Sequence, residues 1–339
     1  MKGQSRGEQI YNYRLYSFKR FFTFLKYAKI TAKELAQITK RHEWAIVLDM
    51  VWCNLRYGAS HSRDYTLFDF VKKNGHERNT FMTFRRYYRM VKKFDKATFL
   101  RYTLKNNMYE DYGQFIKRDW MCLDGSQSRE QVVGFLLKYK TVIVKPVSSD
   151  QGNGIGKFTF SSRQECESFC DDYLGRNVII EESLNNCEEL NAIHARSLNT
   201  VRVYIIVNKD GCPDIVTMAL RCGQSDADID NWGAGGVGYN IDLSYGVIDR
   251  PGRDKKGYFH VFHPGTDVCM VGYHIPMFNE VRQYALRVAS HNKKVLFAGL
   301  DIAITPTGPE LIEVNFPGGH DFLQCLDDVG KNELLQSVV

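Results

Sequence analysis

The sequence predicts an α+β chain with an α-helical N-terminal region, and three observations carry that prediction. From about Tyr11 to Tyr102, aromatic and aliphatic residues recur at three- and four-residue spacing with few Gly or Pro. Past residue 110 the pattern changes to strands alternating with helices. Near the C-terminus, two runs of period-2 alternation flank a Pro- and Gly-rich turn.

The elements follow in order. Residues 1–100 read as the helical region. Thr141 to Pro146 is a β-branched run and reads as a strand, with Lys157 to Phe160 as its hairpin partner. Ser162 to Leu174 reads as a helix capped by Ser162 and stopped by Gly175. Val178 to Glu182 is another strand. Val201 to Asn208 and Ile215 to Arg221 form a hairpin around Asn208-Lys209-Asp210-Gly211, and Val237 to Leu243 adds a further strand. Pro276 to Val295 is an amphipathic helix with Val281, Tyr284, Ala285, Val288 and Ala289 on one stripe.

The chain has 339 residues, is 44% hydrophobic and 25% charged, and has a formal charge of +6, which suits a globular protein. The charge is uneven: residues 1–45 hold ten basic side chains against three acidic ones, so the remainder is near neutral. Nine scattered cysteines without a Cys-x-x-Cys pair argue for a reducing cytoplasm and against a zinc or disulfide framework. No stretch reaches the roughly 20 apolar residues needed to span a bilayer. Tyr16 to Tyr27 mixes aromatic and basic residues. It suits an anionic membrane surface, a docking partner, or a packed helix with a solvated basic face. With positive charge confined to this segment and no recognised module present, nucleic-acid binding is not expected.

Two stretches carry chemistry. In the terminal hairpin, a turn over Pro306 to Glu310 would pair Thr305 with Leu311, Ala303 with Glu313 and Asp301 with Asn315. That register puts Asp301, Glu313 and Asn315 on one face, with Ile302, Ile304, Ile312 and Val314 on the buried side. Three hard oxygen donors suit magnesium, which completes its shell with water and phosphates. Upstream, Lys145 at a strand end precedes Val147-Ser148-Ser149-Asp150-Gln151-Gly152-Asn153-Gly154-Ile155-Gly156, whose small residues let backbone N–H groups cradle a phosphate. The loop lacks the P-loop pattern. Asn231-Trp232-Gly233-Ala234-Gly235-Gly236-Val237-Gly238 reads as a mobile loop or a flexible hairpin connection, and His263, His274 and His320 are isolated histidines.

Taken in order, lysine, Gly-rich loop, helix, acidic strand end and then Asp with Glu-x-Asn resemble the ATP-grasp superfamily. In particular, the chain resembles the sugar-transfer-associated ATP-grasp family of bacterial polysaccharide loci. The likeness runs from about Leu104 to the C-terminus. Val-Lys-Pro-Val-Ser-Ser at 144–149, Ser-Leu-Asn-Thr-Val-Arg-Val at 197–203, Gly-Leu-Asp-Ile-Ala-Ile at 299–304 and Glu-Leu-Ile-Glu-Val-Asn at 310–315 carry it.

The resemblance implies an ATP-grasp fold, with a small lobe at 101–183, a large lobe at 184–339 and ATP held between them. It implies that Lys145 contacts the α- and β-phosphates, that Lys105 or nearby Lys117 also reaches the nucleotide, and that Ser148, Ser149, Gly152 and Gly154 form the phosphate loop. Glu181, Glu182, Ser183 and Leu184 would be the hinge at the adenine edge, and Glu188 or Glu189 would bind ribose. Asp301, Glu313 and Asn315 match the ligands of two magnesium ions, and Arg202 would fork onto a carboxylate, acyl-phosphate or γ-phosphate.

The implied activity is an ADP-forming ligase of polysaccharide or glycoconjugate biosynthesis. It would join a small-molecule or glycan-linked carboxylate to an amine or hydroxyl. A kinase acting on a sugar hydroxyl and a non-catalytic nucleotide-binding adaptor of glycosyltransferases are the alternatives. Localisation would be cytoplasmic, with peripheral contact at the inner face of the membrane or with a glycosyltransferase through residues 11–45.

Overall fold

The computed structural model describes residues 18–60, 64–148, 154–225 and 227–339, with side chains from residue 22 onward. Two long helices open it, α1 (Phe18–Thr39) and α2 (Glu43–Arg56). Short helices follow: α3 (Asp64–Leu67), α4 (Gly75–Thr80), α5 (Phe84–Val91), α6 (Lys96–Arg101) and α7 (Lys105–Asp111). A four-stranded antiparallel sheet comprises β1 (Trp120–Leu123), β2 (Thr141–Pro146), β3 (Gly156–Thr159) and β4 (Val178–Glu182) in the order β1-β4-β2-β3. Helices α8 (Arg129–Tyr139) and α9 (Arg163–Tyr173) accompany it. Ser128 and Gln131 form a capping box on α8, and Ser162 caps α9 as its sequence predicts.

After α10 (Glu188–Ile193) comes a seven-stranded antiparallel sheet of β5 (Thr200–Val207), β6 (Pro213–Cys222), β7 (Val237–Ile241), β8 (Gly252–Asp254), β9 (Phe259–His260), β10 (Phe297–Thr305) and β11 (Gly308–Asn315). Its order is β11-β10-β5-β6-β7-β8-β9. Helix α11 (Phe278–His291) packs on this sheet through Val281, Tyr284, Ala285, Val288 and Ala289, the predicted stripe. Short α12 (Phe322–Cys325) and α13 (Asn332–Gln336) close the chain.

The N-terminal helices share their core with the large sheet: one apolar cluster runs from Phe24 through Phe70 and Tyr109 to Val203, Leu300 and Val338. A second cluster, including Leu136, Val144, Phe169 and Ile180, joins α8 and α9 to the small sheet. Each such side chain contributes about 1.5–3 kcal/mol on burial. All nine cysteines are free thiols.

The terminal hairpin forms, but its register differs from the expected one. Thr305 pairs with Gly308, so the loop is Pro306-Thr307, closed by the Thr305 hydroxyl, which donates to the Gly308 carbonyl at 2.8 Å. A bulge then inserts Ile312, so that Asp301 faces Glu313 directly and Gly299 faces Asn315. The three polar residues still share a face. Ile312, expected on the buried side, instead borders the cleft between the sheets.

Candidate functional site

A cleft of about 830 Å³ lies between the two sheets. Ile143 and Lys145 of β2 line one wall, together with Ser148, Ile155 and Glu181. Arg202 of β5, Arg221 of β6, Asp301 of β10 and Glu313 and Asn315 of β11 line the other, and Lys105 enters from the head of α7. The strands explain this convergence. Arg202 lies opposite Asp301 across β5 and β10, while Thr200, on the same face as Arg202, lies opposite Arg221 across β5 and β6.

Asp301 is buried and held by cations. Arg202 forks onto it, with Nε on Oδ1 and Nη2 on Oδ2 at 3.0 Å, while Arg221 Nη2 reaches Oδ2 at 3.2 Å. Burial pushes the Asp301 carboxyl up, but Arg202 and Arg221 outweigh burial and hold it below the usual range. Arg202 therefore forks onto the protein's own carboxylate. Lys105 Nζ lies 3.4 Å from Glu313 Oε1, and Asn315 Nδ2 lies 3.4 Å from Asp301 Oδ2. Two carboxylates and an amide on one face fit magnesium's preference for hard oxygen donors, and the Glu313 side chain, 33% exposed, opens toward the cleft. Among the described residues no cluster of three His, Cys, Asp or Glu forms a metal site, because the third donor here is the amide Asn315.

Lys145 is buried and ion-paired to Glu181, whose other oxygen accepts from Arg118 Nε at 2.7 Å. Burial alone would raise the Glu181 carboxyl, but Arg118 and Lys145 hold it down to about 2. Arg118 also donates to Glu310 at 3.0 Å and to the Leu311 carbonyl at 2.8 Å, so one guanidinium connects both sheets. Tyr109 donates to Glu181 and lies 3.5 Å from Lys145 Nζ. Lys145 thus presents a fixed charge at the cleft wall.

The remaining sequence candidates divide. Ser148 lines the cleft, while Ser149 and Gly152 lie outside the described residues. Gly154 adopts φ +78° beside Pro146 without lining the cleft. Glu182, Ser183 and Leu184 border a smaller cavity of about 80 Å³ that shares Ile143, Glu181 and Ile312 with the main cleft. Glu188 and Glu189 are exposed on α10 and border neither cavity, because the helix turns Leu190 and Ile193 inward. Lys117 is exposed near Pro309 and Lys105 takes the cleft position. His320 is buried against Asp64 at 3.1 Å, and His263 bonds the Gly223 carbonyl at 2.7 Å. The glycine-rich stretch at 231–238 is pinned rather than open. Trp232 is buried with its indole N–H on the Arg253 carbonyl at 2.9 Å, and Gly236 sits against the Asp230 carbonyl.

Sequence reasoning missed Arg118, Tyr109 and Arg221. The hairpin around Asn208–Gly211 brings Arg221 near β5, but plain counting from the turn puts it on the wrong face, because a register shift between Tyr204 and Ile205 is what sets it opposite Thr200. No comparable signal marks Arg118.

No curated protein matches the chain. It is similar to D-alanyl-alanine synthetase A from Vibrio cholerae, at 14% identity and TM-score 0.46, covering 72% of this chain and 66% of that one. It is similar also to the ATP-grasp ligase PsnB, solved with Mg and ADP, at 14% identity and TM-score 0.40, covering 70% of this chain and 56% of that one. A third similar structure is D-alanine–D-alanine ligase from Bacillus anthracis, at 12% identity and TM-score 0.42, covering 72% and 68%. The chain spans less than two thirds of the length of the first two. The model of the sugar-transfer associated ATP-grasp family matches residues 88–339, and the chain belongs to that family.

Proposed function

We propose that this protein is a Mg-ATP-dependent, ADP-forming ligase. It activates a carboxylate as an acyl-phosphate and joins it to an amine or hydroxyl of a glycan or glycoconjugate precursor. One observation carries the reading: Lys105, Lys145, Arg202 and Arg221 converge on a single cleft in which Glu313, Glu181 and Asp301 are their counter-charges. Such alternation suits a polyphosphate accompanied by a divalent cation. Membership in a family associated with sugar transfer supports a glycan-linked substrate.

In this reading Ile143 and Ile312 provide apolar surface for a base, next to the backbone of residues 182–184. Lys145, kept charged by Glu181, meets phosphate oxygens, and Lys105, its ammonium beside Glu313, approaches them as well. Asp301, Glu313 and Asn315 would hold magnesium, which when bound neutralises charge on the phosphates. Arg202 and Arg221 stand where the acceptor carboxylate and the transferring phosphoryl group gather negative charge. A carboxylate oxygen attacks the γ-phosphorus and ADP leaves. The amine or hydroxyl then attacks the acyl carbon, and phosphate leaves.

The test is to incubate purified protein with Mg-ATP and a metabolite extract, with Glu313→Gln and Asp301→Asn as controls, and to follow products by mass spectrometry. A condensed product with free phosphate, absent with both variants, supports the ligase. A stable phosphorylated product makes the protein a kinase, and nucleotide binding without turnover makes it an adaptor.

A further inference from the structure

Helices α1 and α2 lie against each other, with Ala28 and Ala32 of α1 and Ile46, Met50 and Cys53 of α2 fully buried. The outward side of α2 is apolar although exposed. Trp44 is 66% exposed, Leu48 61%, Trp52 57% and Leu55 65%, and their spacing puts all four on one stripe of the helix. On α1, Ile30 and Ile38 are exposed as well, beside exposed Lys26, Lys29 and Lys33. Residues 18–56 hold eight basic against three acidic side chains, a net +5 in a chain of +6. An apolar stripe of this size marks an interaction surface. Tryptophan and leucine on one helix of the pair and exposed lysines on the other match the chemistry of an anionic lipid interface, where indoles sit at headgroup depth and ammonium groups meet acidic headgroups. Among the described residues no helix is long and apolar enough to cross a membrane.

We propose that the α1–α2 pair docks the protein flat on an anionic bilayer, with Trp44, Leu48, Trp52 and Leu55 entering the headgroup layer and Lys26, Lys29 and Lys33 facing acidic lipids. Sequence alone pointed to the aromatic-basic run at 16–27. The structure moves the apolar contact to α2, most of which lies beyond the expected stretch at 11–45, and the proposal stands independently of the ligase chemistry.

The test is flotation of the full-length chain with vesicles of phosphatidylcholine alone, or containing about one third phosphatidylglycerol. The wild type should float with anionic vesicles only, with a blue shift of tryptophan emission, and should be released at about 0.5 M salt, where exposed charges are screened. Trp44→Ser/Trp52→Ser should abolish the blue shift and most of the binding. Lys26→Gln/Lys29→Gln/Lys33→Gln should weaken partitioning about fivefold per lysine. Because the substituted side chains are exposed, thermal melting should be unchanged, and the lysine variant tests the proposal even if the tryptophan variant misfolds. Failure to float with anionic vesicles, equal binding to neutral ones, or binding undiminished in the lysine variant would overturn the proposal. So would a wild-type dimer that the tryptophan variant converts to a monomer, since a second copy would then cover the stripe.

Discussion

Replacing Glu181 with Gln keeps the side chain's shape and removes its charge, which leaves buried Lys145 and Arg118 without their shared counter-ion. In the wild type burial pushes the Glu181 carboxyl up, but Arg118 and Lys145 hold it at about 2 against an ordinary 4.5. At about 1.4 kcal/mol per pH unit, that depression corresponds to roughly 3 kcal/mol of stability. Breaking a buried ion pair costs about 3–5 kcal/mol, which agrees. The folded-state pKa lies below the unfolded one. The stabilisation is therefore complete above pH 4.5 and is lost as pH falls toward 2. Urea unfolding at neutral pH should place Glu181→Gln roughly 3 kcal/mol below wild type. The gap should close on acidification, as the wild-type carboxyl protonates and comes to resemble the amide. Adding Lys145→Met to the variant should recover part of the loss. Equal stability at neutral pH, or a gap that does not narrow in acid, would refute the buried-network account.

Glu313→Gln should lower substrate-dependent ADP release by about 10²-fold or more in a coupled assay, with the circular dichroism spectrum unchanged. Ile312→Ala removes apolar surface from the cleft wall, and calorimetry should show nucleotide affinity reduced about tenfold with little change in melting temperature. Gly236→Ala would put a methyl 2.4 Å from the Asp230 carbonyl oxygen, so the turn behind the cleft must shift. Denaturation should show a loss of about 1–3 kcal/mol.

The strands and helices that flank the cleft were legible because alternation and capping are local. The stripe on α11 and the Ser162 cap are cases in which neighbouring residues hold all the information. Helix α8 carried no expectation although Ser128 and Gln131 form the capping box that starts it, a signal as local as the Ser162 cap. The bulge at Ile312 had no local signature: Leu311, Ile312, Glu313, Val314 and Asn315 read as plain alternation. Its contacts are distant in sequence, for Arg118 donates to the Leu311 carbonyl at 2.8 Å and to the Ile312 carbonyl at 3.4 Å. That slip moves Glu313 opposite Asp301 and sends Ile312 into the cleft. Arg118 itself was invisible because its partners Glu181 and Glu310 stand 63 and 192 positions away.

Arg118 has a mechanical consequence. A rivet through two plates at one end turns any separation into rotation, and the plates move least where the rivet sits. With Glu181 of the small sheet and Glu310 of the large one fastened to the same guanidinium, any parting of the sheets would be least at the Ile143–Ile312 end beside Arg118 and greater with distance from it. Under the proposed function, a substrate would then enter or leave away from Arg118 while the end beside it keeps its grip, so occupancy at one end need not be surrendered each time the other is exchanged.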